Sequence, residues 1–441
     1  MCENLPSGWK KTPLENIANI RFSGVDKKSK PGERKVKLCN YIDVYNNEYI
    51  TGEIPFMEAT ASVSEIESFS ISDGDLMITK DSETPFDIGV PSVVSEPLEN
   101  VICGYHLAHI KPKLEEIEPI FLAKQLCTDR IVRYFSQQAN GVTRYGLSTS
   151  AIENTPIWLP STLNEQEVIS NILYTTDSLI QQTEAKIDKL GKIKAGLMQD
   201  LLTKGIDEDG EIRDPQKHPE LFQDSPLGII PKEWDVIQIC ENFTVQGGFA
   251  FSSNDFVEYG CPLLRISNIK DGRVDLVERA SLPSNFRVTH RTFLAEENDI
   301  VMALSGATTG KSAIVKKQDL PLLVNQRVGR FINNDKEIYS SLFLFEIIQR
   351  QEFLKILLVD AIGGAQPNIS PERIEKSLIP KPSYEEQLRI TSVVLNVNKK
   401  INKEICYTIK LKLIKKGLMQ DLLTGRKRVP KEMIKEGAIY A

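Results

Sequence analysis

Gly196-Leu-Met-Gln-Asp-Leu-Leu-Thr203 and Gly417-Leu-Met-Gln-Asp-Leu-Leu-Thr424 are the same eight residues, 221 positions apart. Working outward from them, other features recur in the same order. Leu5-Pro6-Ser7-Gly8-Trp9 answers Ile230-Pro231-Lys232-Glu233-Trp234, and the strand-like 74–78 answers 298–302. Residues 152–160 answer 374–382, and Glu165-Gln166 answers Glu386-Gln387. The offsets stay between 221 and 225, so the chain holds two collinear copies of one unit. Solenoid repeats run to about 20–50 residues; this is a duplicated domain pair.

The first ~160 residues of each unit mix short strands and helices. In the second copy, 263–269 and 273–277 flank Asp271-Gly272 and predict a β-hairpin, because Asp-Gly suits the positive φ angles of a type I′ turn. Residues 300–304 and 312–316 read as further strands, and 341–362 as one helix with its counterpart at 120–138. A short helix opens at Ser370-Pro371-Glu372, with serine as N-cap and proline at the first helical position.

A long helix closes each unit. Thr162-Leu-Asn-Glu165 and Ser383-Tyr-Glu-Glu386 have the form of capping boxes. The 3-4 spacing then runs through Leu173, Thr176, Ile180, Thr183, Ile187, Leu190, Lys194, Leu197 and Leu201. In the second copy it runs through Val394, Val397, Ile401, Glu404, Thr408, Leu411, Lys415, Leu418 and Leu422. Sustained a/d spacing with charged flanks is the mark of a coiled coil. Threonine, glutamate and lysine in the seam suit one partner in one register. Between the units, 204–228 is acidic and rich in Pro and Gly, and reads as a linker long enough for the second helix to fold back antiparallel on the first.

The organisation that follows is α+β. A first globular domain covers 1–160, a first helix 161–203 and the acidic linker 204–228. A second globular domain covers 229–382, a second helix 383–425 and a basic tail 426–441. The paired helices imply pseudo-twofold symmetry.

With 41% apolar and 26% charged residues the chain can bury an ordinary core, and no stretch reaches the ~20 apolar residues of a membrane helix. The opening MCENLPSGWKKTPLENI has no apolar run after its charges, so the expected location is cytoplasmic. The seven cysteines are scattered without a C-x-x-C pair, which argues against a disulfide framework or a zinc site. His106 and His109 read as strand surface, with no further ligand at metal spacing. A net charge of −6 does not by itself suggest DNA binding, but charge is unevenly spread: 205–224 carries seven acids and two bases, and 399–416 seven lysines and one acid.

Common catalytic signatures fail. Ser305-Gly306-Ala-Thr-Thr-Gly310-Lys311-Ser312 has three residues between its glycines where a phosphate loop needs four, and it leads into a strand. Glu184-Ala185-Lys186 lies mid-helix and reads as a solvated face. Gly247-Gly248 forms no dinucleotide fingerprint, and no Pro-Pro, G-x-S-x-G or H-E-x-x-H occurs. The four histidines form no convergent set, so no general base stands out.

Two globular domains, each followed by a long helix ending in GLMQDLLT, resemble the specificity subunits of type I restriction-modification systems. Gly363-Gly364-Ala365-Gln366-Pro367-Asn368-Ile369-Ser370, running through Ile379-Pro380 to Glu386-Gln387, looks like that family's boundary between recognition domain and spacer helix. Ile229-Ile230-Pro231-Lys232-Glu233-Trp234 looks like its recognition-domain opening. The likeness spans both copies. They differ where Thr143-Arg144-Tyr145 faces Ala365-Gln366-Pro367, as two readers of different half-sites should.

The resemblance implies a non-catalytic subunit in which each domain reads half of a bipartite, asymmetric target in double-stranded DNA. The helices would act as a ruler: ~37 residues at about 1.5 Å each span ~55 Å, ample for half-sites one DNA turn (~34 Å) apart. The implied partners are two methyltransferase subunits, which would carry S-adenosylmethionine, and a motor-nuclease subunit, which would use ATP and Mg; the chain itself would bind no cofactor. Candidate DNA contacts are Lys80, Ser82, Thr143, Arg144 and Tyr145 in the first copy. In the second they are Ser305, Thr308, Thr309, Lys311, Gln366 and Asn368. Arg and Lys suit guanine and Asn and Gln suit adenine in the major groove, although any of these residues can equally make a turn or touch phosphate. Gly141, Gly306, Gly310, Gly363 and Gly364 allow either close backbone approach or tight turns. The competing readings are a coiled-coil protein–protein adaptor that ignores DNA sequence, and an ATPase dependent on Lys311.

Overall fold

The computed structural model describes residues 5–358 and 368–435. The chain divides into two units, Met1–Ala185 with Ile405–Ala441, and Lys186–Glu404. Each therefore contains one globular domain, the near part of its own long helix and the far part of the other.

The first unit is built on a five-stranded sheet with strands in the spatial order Ala18–Phe22, Leu107–Pro112, Leu76–Thr79, Pro91–Val94, Tyr49–Ile50. Its central strand is buried on both faces. Leu76 and Ile78 join a cluster with Phe121, Phe135 and the start of the long helix, while Met77 joins Cys39, Val44 and Val94 on the other side. That alternation is the period-two geometry of a strand. Fully burying a side chain such as Phe121 contributes about 1.5–3 kcal/mol. A three-stranded sheet of Met57–Ala61, Arg34–Cys39 and Val101–Cys103 lies beside it, and Trp9–Pro13 pairs with Pro156–Pro160 to close the domain ahead of the helix.

The second unit repeats this plan. Its sheet runs Phe243–Gly247, Val328–Asn333, Ile300–Ala303, Ser312–Ile314, Gly272–Val274, with Ile269–Lys270 added at the edge. Ile300 and Met302 face one cluster, Val301 and Ala303 another. The three-stranded companion (Ala280–Leu282, Cys261–Leu264, Leu323–Val324) and the closing pair (Asp235–Gln238 with Leu378–Lys381) have the same connectivity as in the first unit.

The long helices span Leu163–Leu201 and Tyr384–Leu422. Every seam position named above is buried or half-buried. Within the first unit Lys415 Nζ lies 2.6 Å from Asp177 Oδ1 and Lys412 Nζ lies 2.7 Å from Glu184 Oε1. One number rises as the other falls, so the pairing is antiparallel. Here Leu173, Leu418 and Leu422 join the domain core, and Ile180 and Leu411 are buried. Within the second unit Lys186 Nζ meets Glu404 Oε1 at 2.7 Å, and Leu197 and Leu201 reach the cluster of Ile390 and Val394, again antiparallel. Ile187, Leu190 and Ile401 are half-buried there. The seam threonines Thr176 and Thr183 donate to their own helix carbonyls four residues back, at 2.8 and 2.6 Å, and so bring no unpaired hydroxyl into the seam. Glu184 and Lys186 are exposed members of ion pairs, as a solvated face requires.

Four local expectations need correction. The capping boxes do not close: Ser383 Oγ accepts from Glu386 N at 3.2 Å, but both glutamates turn elsewhere, Glu165 to Arg428 and Glu386 to Arg213. The region read as one helix at 120–138 is two, Pro119–Leu126 and Asp129–Gln138, because Thr128 takes an extended conformation between them. Its counterpart is likewise split into Ser341–Ile348 and Gln351–Leu358, with 359–362 outside the described residues. Asp271 and Gly272 do turn with φ of 49° and 74°, but the hairpin joins only Ile269–Lys270 to Gly272–Val274, since a 3-10 turn at Ile266–Asn268 diverts Leu263 and Leu264 into the smaller sheet. Finally, 204–228 is not free linker. Ile206 is buried, Arg213 reaches Glu386, and Phe222–Ser225 forms a hairpin with Gly228–Pro231, all within the second unit.

Candidate nucleic-acid interface

In the first unit, register pairs Ala108 with Phe22 and Leu107 with Thr79. One end of the central sheet therefore carries the segments that follow Phe22 and Thr79 and the one that precedes Leu107. Sequence candidates from distant parts of the chain converge there. Asp81–Ser82 pairs with Tyr145–Gly146, which in turn pairs with Asn140–Gly141. That hairpin projects Val142, Thr143 and Arg144 into solvent. Gly141 is required for it: φ is 153°, and a Cβ there would run into the Arg144 carbonyl.

Not every candidate is equally placed for contact. Ser82 is buried at 8% exposure and its hydroxyl accepts from Thr84 N. Tyr145 is half-buried by the same strand pairing. Lys80 lies over the rings of Phe22 and Tyr105, at 4.8 and 5.1 Å from their centroids. Thr143 and Arg144 face a cleft of about 690 Å³ whose walls include Tyr41, Asp81, Glu83 and Asp87. The cleft is acidic; burial, then the Asp87 carboxylate, push the Tyr41 phenol up.

The second unit assembles the same way. Ala303 pairs with Val328 and Gly247 with Gly329, and Ser305 bridges Asn368. This bridge corresponds to Ser82–Tyr145, since both partners are displaced by 223 residues. Tyr145 thus answers Asn368, one residue on from the alignment made on sequence. Thr308 and Thr309 build the loop: Thr309 Oγ1 donates to Gly306 O at 2.7 Å and Thr308 Oγ1 to Ile266 O at 3.4 Å. Gly306 and Gly310 turn it with φ of 93° and 86°, and it enters the strand Ser312–Ile314 with no helix to receive a phosphate. Lys311 and Asn368 are exposed and Ser305 half-buried. Gln366, Gly363 and Gly364 lie outside the described residues.

Other groups at these sheet ends are not among the DNA contacts expected from sequence, in which His106 reads as strand surface. In the first unit Lys27, Lys28, Lys30, Arg34, Lys35 and Lys37 are all exposed on the segment and strand that follow Phe22. The run K-K-S-K was the available signal, diluted by acidic stretches elsewhere. Tyr105 and His106 stand before Leu107, and Gln326 and Arg327 occupy the equivalent, exposed positions in the second unit. There Phe249, Phe251, Phe286 and His290 form an aromatic group, with His290 stacked on Phe286 at 5.1 Å. His109, expected on a strand surface, is instead 1% exposed and bonded to Asp75 at 2.9 Å; Arg330 with Asp299 fills that place in the second unit.

Comparison with known proteins agrees with the duplicated plan. The sequence model of the family described as "Type I restriction modification DNA specificity domain" matches residues 6–192 and again 231–436. The MjaVIII specificity subunit of Methanocaldococcus jannaschii is 31% identical over 299 residues, 67% of this chain and 68% of that protein. The putative MjaX specificity subunit of the same organism is 22% identical over 433 residues, 96% of this chain and 95% of that one. Among solved structures, the type I restriction-modification S subunit from M. genitalium superposes with a TM-score of 0.59 at 16% identity, covering 95% of this chain and 96% of the other, a likeness of fold.

Proposed function

The chain belongs to the type I restriction-modification DNA specificity family, and from that premise we propose that each of its two globular domains reads one half of a bipartite DNA target. The observation that carries this is the equivalent convergence in both units. Ser82 with Tyr145 and Ser305 with Asn368 tie exposed polar loops to the end of a rigid central sheet. Loops on a rigid scaffold are where recognition residues are held. The exposed members, Arg144, Thr143, Lys311 and Asn368, are the groups for base and phosphate contact, while Ser82, Thr308 and Thr309 shape the loops.

In this reading the chain performs no chemistry. Two methyltransferase subunits supply S-adenosylmethionine-dependent adenine methylation, a motor-nuclease subunit brings ATP and Mg, and the paired helices set the separation of the two half-sites. One chain with two non-identical domains can present two similar docking places to identical partners while reading a non-palindromic sequence. The basic run from Lys27 to Lys37 supplies phosphate contact despite a net charge of −6.

Coexpression with a cognate methyltransferase subunit tests the proposal. The purified pair should methylate DNA that the methyltransferase alone leaves unmodified. Equal methylation of the same sites without this chain would contradict it.

A further inference from the structure

At the reading end of the first unit, three side chains from three segments touch in series. Asp81 Oδ2 lies 2.5 Å from His106 Nδ1, and Arg144 Nη2 lies 3.2 Å from Nδ1 and 3.4 Å from Nε2 of the same ring. An N–H on Nδ1 donates to the carboxylate. The near-equal distances to both ring nitrogens lay the guanidinium against the imidazole and not on a single lone-pair axis. His106 is held for this contact by its backbone, with φ of 71°, a left-handed conformation uncommon for a residue with a Cβ. Tyr105 braces the ring at 3.9 Å between centroids, and Lys80 lies over Tyr105 in turn.

Arg144 is therefore oriented before any ligand arrives, which lowers the entropy cost of binding. Its other N–H groups make no hydrogen bond among the described residues and form the planar fork that matches guanine O6 and N7. The surroundings distinguish a base from a phosphate. Asp81, Glu83 and Asp87 line the cleft beside Arg144 and would repel a phosphate, whereas the neutral edge of a base pair meets no such penalty. Among the described residues the second unit does not repeat the arrangement, having Leu304 where the first has Asp81 and Arg327 where the first has His106.

We infer that Arg144 reads a guanine in the half-site of the first unit, with His106 and Asp81 as its positioning residues. This rests on the specificity-subunit reading above and adds to it the identity of one base.

The test is methylation-motif mapping in cells that carry the cognate methyltransferase with the full chain, either wild type or changed at Arg144→Ala, His106→Asn or Asp81→Asn. Asparagine at 106 tolerates the left-handed backbone, so the fold is kept. Arg144→Ala should relax one G·C pair in one half of the motif, lowering discrimination there by about 5- to 150-fold, with the other half and the gap unchanged. The other two variants should relax the same pair by less. Even loss of methylation at all sites with an unchanged motif marks a phosphate contact and overturns the inference. So does relaxation at an A·T pair, or at different pairs for Arg144 and His106. A wild-type motif untouched by Arg144→Ala overturns it alone; a wild-type chain yielding no gapped motif overturns the specificity reading as well.

Discussion

Arg428 grips Glu165 in a bidentate pair, Nε to Oε1 and Nη2 to Oε2 each at 2.5 Å, across 263 residues of sequence. Its counterpart in the second unit is Arg213 with Glu386, Nη1 to Oε1 at 2.5 Å, where Glu386 also accepts from Ile206 N and Trp234 Nε1. In each unit the arginine comes from the segment that follows one long helix, six residues past Leu422 for Arg428 and twelve past Leu201 for Arg213, and the glutamate from the first turn of the other. The segment that follows each repeated octapeptide thus ties back to the start of the other long helix, within the unit to which it belongs.

Removing either arginine leaves a glutamate of 3% side-chain exposure without its charge partner, although Glu386 keeps its bonds from Ile206 N and Trp234 Nε1. Losing one partner of a buried pair costs about 3–5 kcal/mol, and less where the departing partner was solvated. Arg213 is 11% exposed and Arg428 43%. Arg213→Ala should therefore lower the urea midpoint of unfolding distinctly more than Arg428→Ala does. Equal shifts would contradict this account of the two clamps.

Acid should loosen the first unit at one identifiable place. Burial raises the Glu48 carboxyl, but Lys124 and Lys415 outweigh it and hold the group at about 2. A folded value below the ordinary one of about 4.3 means that the contribution is present above that pH and lost as pH falls towards 2. Glu48→Gln should destabilise the protein at pH 7, and the gap between variant and wild-type urea midpoints should narrow from pH 5 downwards. A gap independent of pH would contradict it.

Glu346 stands where the first copy has Lys124 and should behave in the opposite sense. Burial raises its carboxyl above the ordinary range despite the opposing charge of Lys194, and its Oε2 has no hydrogen-bond partner among the described residues. A raised folded value costs stability at neutral pH and returns it as pH falls to the ordinary value. Glu346→Gln should therefore stabilise at pH 7 by on the order of 1 kcal/mol, with the gain fading towards pH 4. Destabilisation at pH 7 would contradict it.

Lys27, Lys28 and Lys30 are exposed point charges on long flexible stems, suited to phosphate and not to bases. Changing all three to alanine should weaken DNA binding by the assembled complex without altering the motif. The slope of log affinity against log salt should become shallower by about 0.9 for each phosphate that is no longer neutralised. An unchanged slope would contradict the assignment.

The architecture was legible because the duplication is a repeat in the sequence itself, at offsets of 221 to 225 residues, and the 3-4 spacing is a local pattern. Each seam position from Leu173 to Leu201 and from Val394 to Leu422 is shielded as that spacing requires. The capping boxes failed because Glu165 and Glu386 found stronger, distant partners that no window on the sequence brings near them. Convergence of Ser82 on Tyr145 is likewise a product of strand pairing, and the same pairing buries Ser82. His106 reads as strand surface in the sequence because its left-handed turn and its bond to Asp81 are not visible as a motif. His109 sits inside for the complementary reason: it alternates into a strand covered on both faces.

The most direct test of the central claim is adenine-methylation mapping of a genome in cells expressing this chain with a cognate methyltransferase subunit, compared with cells lacking the chain. The account predicts an asymmetric, gapped motif that appears only when both are present. Association of the two chains without any new motif would contradict it.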